Sequence, residues 1–363
     1  MEEPVTMLAP LKVPGRWRRW KAVAPRLRQV QAGLWVLTPP PMLPFGNLYP
    51  AVNRINQEVL AGYIRWAARS LGLGNFLLWT YLPTSCTLID RLKPEAVVYH
   101  CVDEHSAFPG FVRPEVVRGY DDALTSRADL VITSARNLML SRQHLNPNIH
   151  HVRHAADVAN FSRALDPDLP IPGDIASIPR PRLGVVGVHD ERLDVDALEI
   201  LARADPHWQI VLVGPMQPGD VDEARLRSLG NVHLLGGKPV AALPGYLKAL
   251  DVALIPYKLN ELSRNIFPLK LYEYLAAGLP VVAAALPELA PFADVVSLAA
   301  QPADYPSLVR EVLATDTVGQ HEARAAFAAE NSWDRRVEEI SALVEDMLAT
   351  KGSVVPRRQG LAP

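Results

Sequence analysis

Short apolar runs alternate with longer stretches in which apolar positions recur every three or four residues, and this rhythm persists along most of the chain. In the first half the short runs predict strands at 34–37, 76–82, 96–102, 130–134 and 150–152, with helical stretches at 50–71, 84–92, 113–127 and 136–145. The second half repeats the pattern. Strands are predicted at 183–188, 209–213, 232–235, 252–255, 281–284 and 295–298, and helices at 194–204, 221–229, 241–250, 268–277 and 304–314. Strands that alternate with helices of this length build parallel sheets, so the fold class is α/β. Between the halves, five prolines fall between Asp166 and Pro181, which neither a helix nor a central strand continues through. Residues 162–181 therefore read as a linker between two domains, 1–161 and 182–332. Helices at 319–330 and 334–349 close the chain, and 351–363 reads as a disordered tail.

Composition narrows the function classes. The chain has 363 residues, 49% hydrophobic and 21% charged, with a net charge of −2. That is enough material for two cores, with no bulk basicity for nucleic acid and no acidic excess for disorder. Cys86 and Cys101 lack metal-ligand spacing and read as buried thiols of a reducing compartment. The opening Met-Glu-Glu-Pro is unlike a signal peptide, and the longest apolar stretch, 280–300, is broken by Glu288, Asp294 and prolines. A cytoplasmic protein is expected. One local bias qualifies this: residues 1–30 carry Lys12, Arg16, Arg18, Arg19, Lys21, Arg26 and Arg28 against Glu2 and Glu3, a net of 7 − 2 = +5, with Trp17 and Trp20 among them. Either this is a solvated face, or residues 12–28 make a peripheral contact with the anionic inner membrane face.

The candidate chemistry concentrates in 251–283, a strand, a loop, a helix with Pro268 at its start and Gly278 past its end, and a second strand. The helix start falls at the C-terminal edge of the sheet, where α/β domains bind ligands. Lys270 and Glu273, three apart, share an exposed face there, while Leu271, Tyr274 and Leu275 face the sheet. A lysine neutralises a diphosphate, and a carboxylate accepts hydrogen bonds from a ribose diol. The plain alternative is an exposed ion pair of small value.

The stretch PLKLYEYLAAGLPVV resembles the donor-site helix of GT-B glycosyltransferases, closest to the bacterial group that includes teichuronic-acid and exopolysaccharide transferases. The resemblance extends through 97–108, 128–138, 184–215, 231–257 and 331–340. It implies two Rossmann-like domains with parallel sheets facing a cleft. The first would bind the acceptor, the second the nucleotide sugar, and the helix 333–350 would return to the first domain. The implied activity is sugar transfer from a nucleotide-diphosphate sugar to a glycan or lipid-linked acceptor in cell-surface polysaccharide synthesis. No metal or other cofactor is implied. Many members place two glutamates eight positions apart; Glu273 matches the second, Asn265 stands at the first, and Glu261 is out of register.

By the same resemblance the loop 187–194 faces the donor, with His189 and Arg192 as candidates for the diphosphate, and Gly237 and Lys238 for the base. In the first domain Asp103, and after it His105, sit at the end of a strand where a transferase needs a base or a charge facing the reacting sugar. Asp103 as a plain helix cap is the alternative. His150, His151 and His154 lack a carboxylate or Cys partner for metal, and Trp333 reads as a core anchor. Two rival functions remain: a GT-B epimerase or phosphorylase, and a non-catalytic nucleotide-sugar scaffold. Residues 1–33 hold no strong apolar run, so the first domain is expected to lack an opening β-α-β unit.

Overall fold

The computed structural model describes residues 26–108 and 112–352. They form two compact units. One takes the described chain up to Ser134, residues 138–151 and Leu343 onward; the other takes 135–137 and 152–342.

Among the described residues, the first unit starts with a hairpin. Strand β1 (Arg26–Gln31) pairs antiparallel with β2 (Leu34–Thr38), Arg26 opposite Thr38. The sequence pattern placed 34–37 within the strand–helix alternation. Instead Gly33, at φ +77°, reverses the chain at once and returns β2 onto β1. Helix α1 (Pro50–Ser70) follows, with proline at its start and Ala61 and Ala67 on its buried side. Then come β3 (Leu77–Thr80), β4 (Ala96–Cys101), α2 (Pro114–Arg127), β5 (Leu130–Thr133), α3 (Arg136–Arg142) and β6 (Ile149–His151). The sheet runs β3-β4-β5-β6, all parallel, with Leu77 opposite Ala96 and Val98 opposite Leu130. Among the described residues it takes no strand from before Leu77. Every residue of β5 is buried, which is why that strand reads as an unbroken apolar run. Of the basic stretch 12–28 only Arg26 to Arg28 fall within the described residues. Of the tail 351–363 only Lys351 and Gly352 do, and Lys351 Nζ is bonded to Glu95 O at 2.8 Å and to Asp129 at 2.7 Å.

The second unit contains β7 (Arg182–Val186), α4 (Val195–Ala204), β8 (Gln209–Val213), β9 (Val232–Gly236), β10 (Val252–Ile255), α5 (Lys270–Ala276), β11 (Val281–Ala284), β12 (Ser297–Ala299), α6 (Tyr305–Thr315), α7 (Val318–Ala329) and the first part of α8 (Trp333–Thr350), whose residues from Leu343 onward belong to the first unit. Its six parallel strands lie in the order β12-β11-β10-β7-β8-β9. This is the doubly wound dinucleotide order, and the chain reverses its direction of winding between β7 and β10. The proline-rich stretch 162–181 is folded onto this unit. Ile175 and Ile178 are buried, and Lys248 Nζ binds the carbonyls of Asp166, Pro167 and Leu169 at 2.7, 2.6 and 2.8 Å. Trp333 is not the core anchor expected of it, being 46% exposed. The start of α8 is held instead by its backbone, through Ala156 N donating to Asn331 O at 3.2 Å. No helix among the described residues is long and apolar enough to cross a membrane.

One glycine fixes the rim of this sheet. Gly214, just past β8, has φ +149°, and a Cβ there would lie 1.7 Å from Gly187 O. Gly214→Ala should destabilise the second unit by at least about 3 kcal/mol in urea unfolding, from backbone collision plus strain. Gly230→Ala, with open space around it, should stay within about 0.5 kcal/mol. Equal, small effects of both would contradict the close approach.

Candidate functional site

The winding reverses between β7 and β10, and the C-terminal ends of the strands at such a reversal are the position where open α/β sheets hold ligands. Three loops are laced together there. His189 N donates to Pro215 O at 3.0 Å, Gln217 N to His189 O at 2.8 Å, Asp194 N to Pro256 O at 2.8 Å and Lys258 N to Arg192 O at 2.8 Å. The loops after β7, β8 and β10 are therefore joined in one hydrogen-bonded frame.

Helix α5 packs against that frame. It begins at Lys270 and spans seven residues, shorter than the sequence pattern predicts, because the turn at Pro268 and Leu269 precedes it. Leu271, Tyr272, Tyr274 and Leu275 are fully buried. The Tyr274 hydroxyl accepts from Val186 N at 2.8 Å and lies 3.2 Å from Val186 O, which pins the helix to the last residue of β7. Lys270 is consequently laid over the next residue, Gly187, at φ +125°; a Cβ on residue 187 would meet Lys270 Cε at 2.5 Å. The Lys270 ammonium lies 5.6 Å from the centre of the Tyr257 ring.

Glu273 is half-buried, not exposed as its helical position suggested. Burial pushes its carboxyl above the ordinary range, partly offset by the charge of Lys270. The expected alternative, a surface ion pair, is not formed. Neither Lys270 nor Glu273 makes a salt bridge or side-chain hydrogen bond with another described residue. A cation and a carboxylate thus sit one turn apart at the reversal point, both with unspent hydrogen-bonding capacity.

The other expected donor residues fare differently. His189 is 1% exposed, and both ring nitrogens lack a hydrogen-bond partner. Burial, with the nearby Lys270 charge, pushes its imidazole down to about 4, so it is neutral at pH 7. Arg192 is held by Asp190, with Nε to Oδ1 at 2.8 Å and a second contact from Nη2, and stacks 5.4 Å over Tyr257. Its charge is largely balanced by that carboxylate. Lys238 binds Asp174 at 2.7 Å and lies over Tyr246, which ties the 162–181 stretch down. Gly237 has only ordinary contact distances, 3.7 Å to Pro215, so its place does not require glycine. Asn265 ends a short 3-10 turn, with Nδ2 bonded to Glu261 O at 3.0 Å. Tyr257, whose ring lies beneath both Lys270 and Arg192, was not foreseen; its position two residues past the end of β10 was the available signal.

In the first unit Asp103 and His105 lie past β4. Burial lowers the pKa of His105 against the pull of Asp103. Asp103 does not cap a long helix: residues 105–107 form a single 3-10 turn with Glu104 at its cap position. Beneath that turn is a charged network that the sequence pattern did not disclose. Arg142 Nε donates to Asp121 Oδ2 at 2.7 Å and Nη2 to Glu104 Oε2 at 2.9 Å; Tyr99 OH donates to Asp121 Oδ1 at 2.5 Å and Ser106 Oγ to Glu104 Oε1 at 2.6 Å. Tyr99 and Glu104, Asp121, and Arg142 come from three separate stretches of the sequence, and the strand–helix packing joins them. Among the described residues no group of three or more His, Cys, Asp or Glu side chains is placed to hold a metal.

Comparison with known proteins agrees with this layout. Residues 180–344 match the family Glycosyl transferases group 1. TuaH of Bacillus subtilis (strain 168), assigned to teichuronic acid biosynthesis as a glycosyltransferase, is 29% identical over 227 residues, 58% of this chain and 55% of TuaH. The chain therefore spans about half the length of the curated relative it matches. Among solved structures, sucrose-phosphate synthase from Thermosynechococcus elongatus superposes with a TM-score of 0.67 at 19% identity, over 91% of this chain and 87% of that one. Trehalose 6-phosphate synthase from Burkholderia multivorans gives 0.67 at 13%, over 90% and 88%. HepE of Anabaena, in complex with UDP, gives 0.61 at 16%, over 81% and 84%. The chain shares the GT-B fold of these structures, and its residues 180–344 match the model of the glycosyl transferases group 1 family.

Proposed function

We propose that this chain transfers a sugar from a nucleotide-diphosphate sugar to a glycan or lipid-linked acceptor in cell-surface polysaccharide synthesis. The observation that carries this reading is the pair Lys270 and Glu273, unspent and one turn apart at the winding reversal of the second unit. The Lys270 ammonium would neutralise the diphosphate, and Glu273 would accept hydrogen bonds from the ribose hydroxyls. In the reaction the acceptor oxygen forms a bond to the anomeric carbon while the bond from that carbon to the phosphate oxygen breaks. The electron pair leaves with the nucleoside diphosphate, and Lys270 stabilises the negative charge it acquires. No metal is required in this reading, because a protein cation takes that part. The first unit would supply the acceptor side, with Asp103 or neutral His105 placed to take the proton of the acceptor hydroxyl. UDP is the natural probe, since a protein of the same fold was crystallised with it. A scaffold would bind the nucleotide sugar and leave it intact, and an epimerase would need no acceptor.

Glu273→Gln should have two opposite effects. The folded carboxyl is raised by burial, so the charged form costs stability above the folded pKa, and this cost vanishes as pH falls below the unfolded value of about 4.3. The variant should therefore gain about 1–3 °C in Tm at pH 7 and nothing at pH 4. Its UDP affinity should fall about tenfold or more by calorimetry, because a carboxylate acceptor becomes a neutral one. Unchanged UDP affinity would remove the ribose role.

Asp103→Asn should lower kcat by about 100-fold or more with UDP affinity kept, as expected of a residue on the acceptor side. Loss of UDP affinity at normal turnover would contradict that placement.

A further inference from the structure

The first unit encloses a cavity of about 500 Å³ between α1, β3 and the segment 39–47. That volume is in the range of small-molecule sites, roughly 300–1,000 Å³. Its apolar wall includes Leu60 and Ile64 of α1 and Leu78 of β3, which pack on the buried cluster of Ala61, Leu88 and Leu92 yet stay only half-buried themselves. Several polar side chains of the wall are already bonded within the protein. The Asn56 amide accepts from Leu43 N at 2.9 Å and donates to Leu43 O at 2.8 Å. Asn53 donates to Thr84 O at 2.9 Å and accepts from Gln57 at 3.2 Å. The Thr80 and Ser85 hydroxyls are 2.7 Å apart, and Ser85 Oγ donates to Leu82 O. Gln57 Oε1 and Trp79 Nε1 are left without partners, but both atoms are sealed from solvent.

A sugar entering this cavity would lose the water around its hydroxyls and find few groups to replace it. An alkyl chain would lose nothing of that kind and would cover the exposed sides of Leu60, Ile64 and Leu78. The remaining wall is polar where Asn47 is exposed, and His105 belongs to the same wall. The geometry points to this cavity as the seat of the apolar chain of an amphiphilic acceptor, with the acceptor's polar head beside Asn47 and His105. Calling the ligand an acceptor rests on the sugar-transfer reading above; the fit of an alkyl chain does not. The reading so far left a glycan or a lipid-linked acceptor open, and the cavity selects the second.

The test uses the full chain and two probes with one head group, n-octyl β-D-glucopyranoside below its micellar concentration and methyl β-D-glucopyranoside. UDP is titrated in parallel. The octyl glucoside should bind at least tenfold tighter than the methyl glucoside. Leu60→Trp, and independently Leu78→Phe, should fill the cavity and reduce octyl binding at least fivefold while UDP binding is kept. Equal affinity for the two glucosides overturns the proposal, as does octyl binding that both filled variants retain. Absence of octyl binding because another part of the chain fills the cavity overturns it too. Octyl preference without UDP binding would sink the sugar-transfer reading and leave the cavity assignment standing; UDP binding without octyl preference would do the reverse.

Discussion

Lys270 can lie across the end of β7 only because residue 187 has no side chain. With a Cβ there at 2.5 Å from Lys270 Cε, the lysine would have to leave. The same frame demands a second glycine at 214, whose missing Cβ makes room for Gly187 O. The Tyr274 hydroxyl, bonded to both backbone groups of Val186, sets the height of the helix against the strand. Each contact belongs to the fold, and together they bring a lysine over a glycine at the point where the sheet reverses its winding.

The charges of the second unit divide into two kinds. Arg192 with Asp190, Lys238 with Asp174 and Arg324 with Asp316 are paired, and they hold loops and segments together. Lys270 and Glu273 are not. Holding a half-buried carboxylate without hydrogen bonds costs stability, and such costs are commoner at functional sites than elsewhere. The first unit shows the contrast again. Its buried Arg142 is satisfied by Asp121 and Glu104 and supports the turn that carries His105, so its part is to position, not to react.

Much of this was legible in the sequence, because strand and helix periods survive local detail. The unbroken apolar runs of β5 and β10 mark strands covered on both faces, and Asp194 announces the start of α4 by accepting from Ala197 N. The order of strands was not legible in local pattern, since it depends on which runs pair across the sheet. The hairpin at Gly33 was missed because a single glycine can end a strand or reverse a chain. The spacing of Lys270 and Glu273 on one helix was legible, but the burial of Glu273 was not. Helical spacing tells which residues share a face, and cannot tell that neighbouring loops wall the face in. Tyr257 and the Arg142 network escaped for a related reason, as each draws its meaning from residues distant in sequence.

The central claim is that Lys270 addresses phosphate and nothing else of the nucleotide. Calorimetry of UDP and of uridine against the wild-type chain and Lys270→Ala tests it most directly. The account predicts at least about a tenfold loss of UDP affinity with uridine affinity within about twofold of wild type, since a lone ammonium acts on charge. Equal losses for both ligands, or unchanged UDP affinity, would contradict it and leave Lys270 as a packing residue over Gly187.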